Sequence, residues 1–159
     1  KESACRLHVL IRPRAGDFCY TAREVEVMLL DIEAAKAAGA HGVVVGVLRP
    51  DGSIDAEFVA EAVRRARPMA VTFHRAFDLA ADSRAALAEL EGLGVDYVLT
   101  SGQAPSAWEG RDELKALTAL AAARGMAIKV IAAAGVKETN AAKLVAATGV
   151  RELHAGTNS

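Results

Sequence analysis

Short apolar runs alternate with amphipathic segments along this chain. LHVLIR (7–12), GVVVGVL (42–48), AVTFHRA (70–76), YVLTS (97–101), AIKVIAA (127–133) and ELHAG (152–156) have strand length, and most are β-branched. Five helix-length segments lie between them. The first, about 22–38, sets Val25, Met28, Leu29 and Ile32 at i, i+3, i+4 and i+7, which is one helical face. It opens on Thr21-Ala-Arg-Glu24, a capping box, and Ser106-Ala-Trp-Glu109 predicts another helix start of the same kind. Asp55 and Asp82 are expected to cap two more. Gly39, Gly94, Gly125 and Gly149 stand where helices should end in a left-handed turn before the next strand.

Strict alternation of strand and helix implies parallel strands joined by right-handed crossovers. No linker or low-complexity stretch divides residues 1–159, so a single domain is expected. A doubly wound sheet would carry a glycine-rich phosphate turn, and neither GxGxxG nor GxxxxGK[ST] occurs. A (β/α)8 barrel instead collects polar residues at the C-terminal ends of many strands. The chain follows that rule. Arg12 and Arg14 end the first strand, with Asp17 in the loop beyond. His74, Arg75 and Asp78 end the third, Thr100, Ser101 and Gln103 the fourth, and His154 the last. The prediction is an α/β fold of TIM type, here an incomplete barrel of about six β/α units. Six strands cannot close an eight-stranded ring, so the first and last should be unpaired on one side. Open edges invite association, so the chain is expected to be oligomeric (a homo-oligomer), partly aggregated or poorly stable.

Composition narrows the partners. The chain is 52% hydrophobic, enough for a real core. Its 19 basic and 20 acidic residues leave a net charge of -1, without a long basic run. Neither nucleic acid nor an anionic membrane surface is an expected partner. No apolar stretch approaches the ~20 residues that span a bilayer. The chain opens Lys1-Glu2-Ser3 without a charged-then-apolar leader, so no targeting signal is read. Cys5 and Cys19 stand fourteen residues apart and form no CxxC, a pattern that suits reduced thiols and a cytoplasmic protein.

Strand parity then sorts the polar residues. In the first strand Leu7, Val9 and Ile11 should meet the helices, while His8, Leu10 and Arg12 face the lumen. Val71 and Phe73 should point outward, and Thr72 and His74 inward. In the last strand Leu153 points outward, and Glu152 and His154 inward, with Lys129 below. Buried charges need partners or a ligand. One reading is a self-satisfied polar core; the other is a site for a small anionic or metal-bound ligand. His74 is the candidate general acid or base, because an unperturbed imidazole titrates near neutrality. Arg12 and Arg14 suit carboxylate or phosphate recognition, or else pair with Asp17 and Asp78. Arg75, Asp78, Ser101, Gln103, Glu152 and His154 complete the candidate ligand-binding set. Signals for a metal are thin: there is no MxCxxC or HxH element, and Met28, Met69 and Met126 read as packing residues.

IRPRAGDFCY (11–20), GVVVGVLRPDGSID (42–55), VTFHRAFD (71–78) and VLTSGQ (98–103), with the weaker ELHAG, together closely resemble the CutC copper homeostasis family. The resemblance runs over essentially the whole chain. It implies a (β/α)8 barrel, a cytoplasmic location, and copper homeostasis with copper ion binding, the copper resting on the resemblance alone. On this resemblance the chain lacks the family's first two β/α units, with their copper-linked cysteines, and the stretch beyond the eighth strand. Ala15 and Ala132-Ala133-Ala134 stand where the family usually carries glycine, which narrows a turn where barrels often hold phosphate. The alternative function is a barrel enzyme acting on a small phosphorylated or carboxylated metabolite.

Overall fold

The alternating pattern folds into successive β/α units, as seen in a computed structural model that describes residues 5–156. The start of the chain, where no leader was read, lies outside the described residues. β1 (His8–Leu10), α1 (Ala22–Ala37), β2 (Gly42–Val45), α2 (Ala56–Ala66) and β3 (Ala70–Phe73) come first. A 3-10 helix (Arg75–Leu79), α3 (Ser83–Gly92), β4 (Tyr97–Thr100), α4 (Arg111–Ala123), β5 (Lys129–Ala133), α5 (Glu138–Thr148) and β6 (Glu152–His154) follow. The six strands form one parallel sheet in the order β1 to β6, a curled half-barrel. Among the described residues, β1 pairs only with β2 and β6 only with β5, so both edges are open.

The helix-facing side follows the parity of the strands. Val43, Val45, Val71, Phe73 and Val98 are fully buried, and they pack in one core with Met28, Ile32, Val59, Leu87, Leu90, Leu114 and Leu117. Burial of each such side chain contributes about 1.5–3 kcal/mol, which is what fixes the helices on this face. The register is in phase with it, Val43 lying beside Val71 and Phe73 beside Val98. A one-residue slip would exchange this face for the polar one.

Capping also follows the sequence. Thr21 and Glu24 form the reciprocal box at α1, Asp55 accepts from Phe58 N, and Asp82 accepts from Arg84 N and Ala85 N. Gly149 closes α5 at φ 76, in the left-handed region that glycine enters without a Cβ penalty.

Several boundaries differ from expectation: the first strand is only His8–Leu10, so Arg12 lies beyond it, the fifth starts at Lys129 and the last stops at His154. The third strand stops at Phe73: the His74 amide still donates to Val45 O at 2.8 Å, but its carbonyl turns to accept from Phe77 N and its side chain caps the 3-10 helix. The second stops at Val45, and beyond it Leu48 bridges Ile54 in an antiparallel pair. The Ser106–Glu109 turn forms, with Glu109 N donating to Ser106 Oγ at 3.3 Å, yet α4 begins only at Arg111. Between them the chain presses on the end of β4: a Cβ at Gly110 would lie 1.9 Å from the Ser101 carbonyl oxygen. No helix is long and apolar enough to cross a membrane among the described residues.

Candidate functional site

The inner face of the half-barrel encloses a cavity of about 480 Å3. Leu10, Val44, Leu99 and Ile131 give it an apolar floor. Arg12, Phe18, His74, Arg75 and His154 line it as well, and each lies at or beyond the C-terminal end of a strand. His8, Leu10, Arg12, Thr72, His74 and His154 therefore face inward as strand parity requires.

His74 is the most constrained of these groups. It is only 6% exposed. Its Nδ1 accepts a hydrogen bond from Ala76 N at 3.0 Å. A ring nitrogen that accepts carries no proton, so the neutral imidazole holds its proton on Nε2. That Nε2 is shut off from solvent and has no hydrogen-bond partner. The ring packs against Gly46, where a Cβ would fall 2.3 Å from Cε1, and it meets the Phe18 ring at 4.8 Å between centroids. Desolvation, with the Arg12 charge second, lowers its pKa from 6.5 to about 4. Burial thus favours the neutral ring, which at neutral pH can donate through Nε2 and holds its lone pair against the Ala76 amide.

Arg12 donates through Nη2 to Gly16 O at 2.9 Å and lies over the Phe18 ring at 4.8 Å. Arg75 is set by Asp78, which receives its Nε at 2.7 Å, while Nη2 reaches Ser101 Oγ at 3.2 Å. The Asp78 carboxylate also accepts from Thr100 Oγ1 at 2.5 Å, Ser101 N at 3.0 Å and Gln103 N at 3.3 Å. Ser101 and Gln103 face this network and the carbonyls of Ala104 and Ala80 rather than the cavity. They brace Arg75; they do not line the space in which a ligand would sit.

Two expected members stand apart. Arg14 donates to Glu24 at 2.6 Å, to Asp17 at 3.0 Å and to Cys19 O at 2.8 Å, so its fork is spent on the loop before α1. Asp17 and Glu24 are both held below the usual carboxylate range, Asp17 chiefly by Arg14 and Glu24 chiefly by the Thr21 amide with Arg14 second. Glu152 does not share the cavity with His154. It borders a separate groove with Lys129, Val150 and Arg151, because it opens the three-residue strand that His154 ends. No ion pair joins it to Lys129 among the described residues; the lysine instead lies over the Tyr97 ring at 5.5 Å.

Sequence reasoning missed Gly46 and Phe18. A glycine inside an apolar run is a signal of close backbone approach, and GVVVGVL carried it. Phe18 carried no signal, since its partners His74 and Arg12 meet it only in the fold.

A parallel β/α sheet curled around a lumen, with its polar side chains at the strand ends, is a TIM-barrel-type arrangement. In line with this, a solved structure described as a deoxyribose-phosphate aldolase from Coccidioides immitis shares the fold at TM-score 0.72 and 16% identity, covering 95% of this chain and 60% of that one. The chain belongs to the CutC family, whose model matches residues 1–159. It is 47% identical to a family protein CutC of Vibrio campbellii over 142 residues, 88% of this chain and 56% of that protein. A solved structure from Streptococcus agalactiae, named for copper homeostasis and CutC, matches at TM-score 0.87 and 29% identity, covering 94% of this chain and 71% of that one. The chain thus spans about half the length of the curated relatives it matches.

The residues described do not fit the copper that this name implies. No three His, Cys, Asp or Glu side chains group to hold a metal among the described residues. Copper(I) favours thiolate and thioether donors. Cys5 is exposed, Cys19 is half-buried, and Met28 and Met69 are buried in the helix-facing core. His74 presents an N–H where a ligand would need a lone pair.

Proposed function

We propose that the lumen-top site binds a small anionic ligand, carboxylated or phosphorylated, as a barrel enzyme would bind a metabolite. The part this chain plays in copper homeostasis then runs through that ligand, not through a copper ion held by the described side chains. One observation carries the reading: Arg12 and Arg75, from separate strand ends, line one cavity whose floor is apolar. Guanidinium groups left with spare donors above an apolar floor favour an anionic head on a compact body. Reduced cysteines suit a cytoplasmic setting for it, and the open edges suit self-association.

The test is ligand-observed NMR of the 159-residue chain with inorganic phosphate and with butyrate. Binding of either probe, weakened about tenfold or more in Arg12→Gln or Arg75→Gln, supports the reading. Binding of neither, or binding indifferent to both substitutions, overturns it. Direct copper binding is tested by competition with a chromogenic copper(I) chelator. Stoichiometric copper that survives the competition would restore the direct reading, and Cys19→Ser would then show whether that thiol holds it.

A further inference from the structure

The site contains a donor that nothing in the protein uses. His74 is buried, its ring is clamped between Gly46 and Phe18, and its Nδ1 is committed to the Ala76 amide. Nε2–H is left with no acceptor. A buried donor without a partner costs roughly 1–3 kcal/mol, a cost the fold has no structural reason to carry at the lining of a cavity.

We propose that His74 is the specificity-determining donor of this site, offering a fixed neutral N–H to an uncharged oxygen of the ligand while Arg12 and Arg75 take its anionic head. The inference rests on the anionic-ligand reading and narrows it. The ligand class is a small carboxylate bearing a carbonyl or hydroxyl oxygen, as in 2-oxo and 2-hydroxy acids, with an aliphatic remainder over Leu10, Val44, Leu99 and Ile131.

Phe18 is the cover. It stands on the loop before α1, half-buried, with Arg12 over one part of its ring and His74 against another. On the proposed reading, an anion that draws Arg12 toward itself takes the cation from that ring, and Phe18 then swings clear of the His74 edge. Arg12 from beyond β1, Arg75 with Asp78 beside it, and His8 and His154 elsewhere in the cavity lining are the charged and titratable groups around His74. Of these, Arg12 lowers the His74 pKa, in addition to desolvation, so the N–H stays neutral throughout the range in which carboxylates are ionised.

The experiment compares butyrate, 2-hydroxybutyrate and 2-oxobutyrate on the wild-type chain, His74→Gln and His74→Phe, with circular dichroism to establish folding. Gln places an amide N–H near the position of Nε2, and Phe fills the space with no donor. In the wild type an oxygenated acid should bind up to about tenfold more tightly than butyrate, the worth of one hydrogen bond. The preference should persist in His74→Gln, disappear in His74→Phe, and change little from pH 5.5 to 8. Long-range 15N–1H correlation should show the proton on Nε2. Equal affinity of the three acids in the wild type, an unchanged preference in His74→Phe, or a proton on Nδ1 overturns the role of His74 and leaves the anionic site standing. No binding of any acid, with no effect of Arg12→Gln, overturns the anionic site and this inference together. If His74→Phe does not fold, the His74→Gln comparison and the tautomer measurement decide the matter.

Discussion

The wild-type chain should lose stability between pH 8 and pH 5, and replacing His74 with Gln should remove most of that loss. The native imidazole, desolvated and close to Arg12, takes up its proton only near pH 4, whereas in the unfolded chain the same group titrates near 6.5. Between those values the unfolded state binds the extra proton, so stability rises with pH there. It is at full value above about pH 6.5 and falls as the pH drops toward 4. Two and a half units of separation make the loss from pH 8 to pH 5 about 2 kcal/mol. Near-complete burial leaves little solvent screening to discount this. Urea unfolding at several pH values is the assay. With a slope of roughly 2 kcal/mol per molar, the wild-type midpoint should fall over that interval by about 1 M more than the variant's. His8 is shifted in the same direction, chiefly by its own desolvation, so the difference between the two proteins isolates His74. Equal midpoint changes in both would refute the argument, because a protonated His74 would then be tolerated in the fold.

Gly46→Ala places a methyl inside the His74 ring position and should cost about 1–3 kcal/mol, lowering the melting temperature by about 2–10 °C. A calorimetric scan reads the drop, and the variant should also lose the pH dependence, since the ring is driven out of its pocket. Asp78→Asn weakens the brace on Arg75, Thr100 and Ser101 and should destabilise by about 1.5–3 kcal/mol in urea unfolding. Asp78 is a positioning residue, so its effect on anion affinity should not add to that of Arg75→Gln; additive losses would show that it acts elsewhere. The unpaired edges of β1 and β6, beside Leu7 at 61% and Leu10 at 59% exposure, predict mass that grows with concentration in light scattering. A monodisperse monomer across the range would count against it.

What the chain reveals locally is periodicity, and periodicity carried a long way. Alternation of apolar runs and helical faces placed six parallel strands, and parity put Arg12, His74 and His154 on the inner face. Capping at Thr21, Asp55 and Asp82 depends on neighbours within three residues, so it too was legible. The element ends were less so: Ser106 begins a turn where a helix was expected, because Gly110 packs on Ser101 across the top of β4. Side-chain partnerships over distance belonged to the tertiary structure alone. Arg14 and Arg12 have the same parity, yet Glu24 on the next helix captures the first and leaves the second to the cavity. Asp78 could have paired with either arginine, and the 3-10 helix instead turns it to Arg75 and the end of β4. The identity of His74 and its place on the strand are sequence facts. Its neutrality is not, since that comes from Phe18, Gly46 and Arg12 gathering around it and taking the water away.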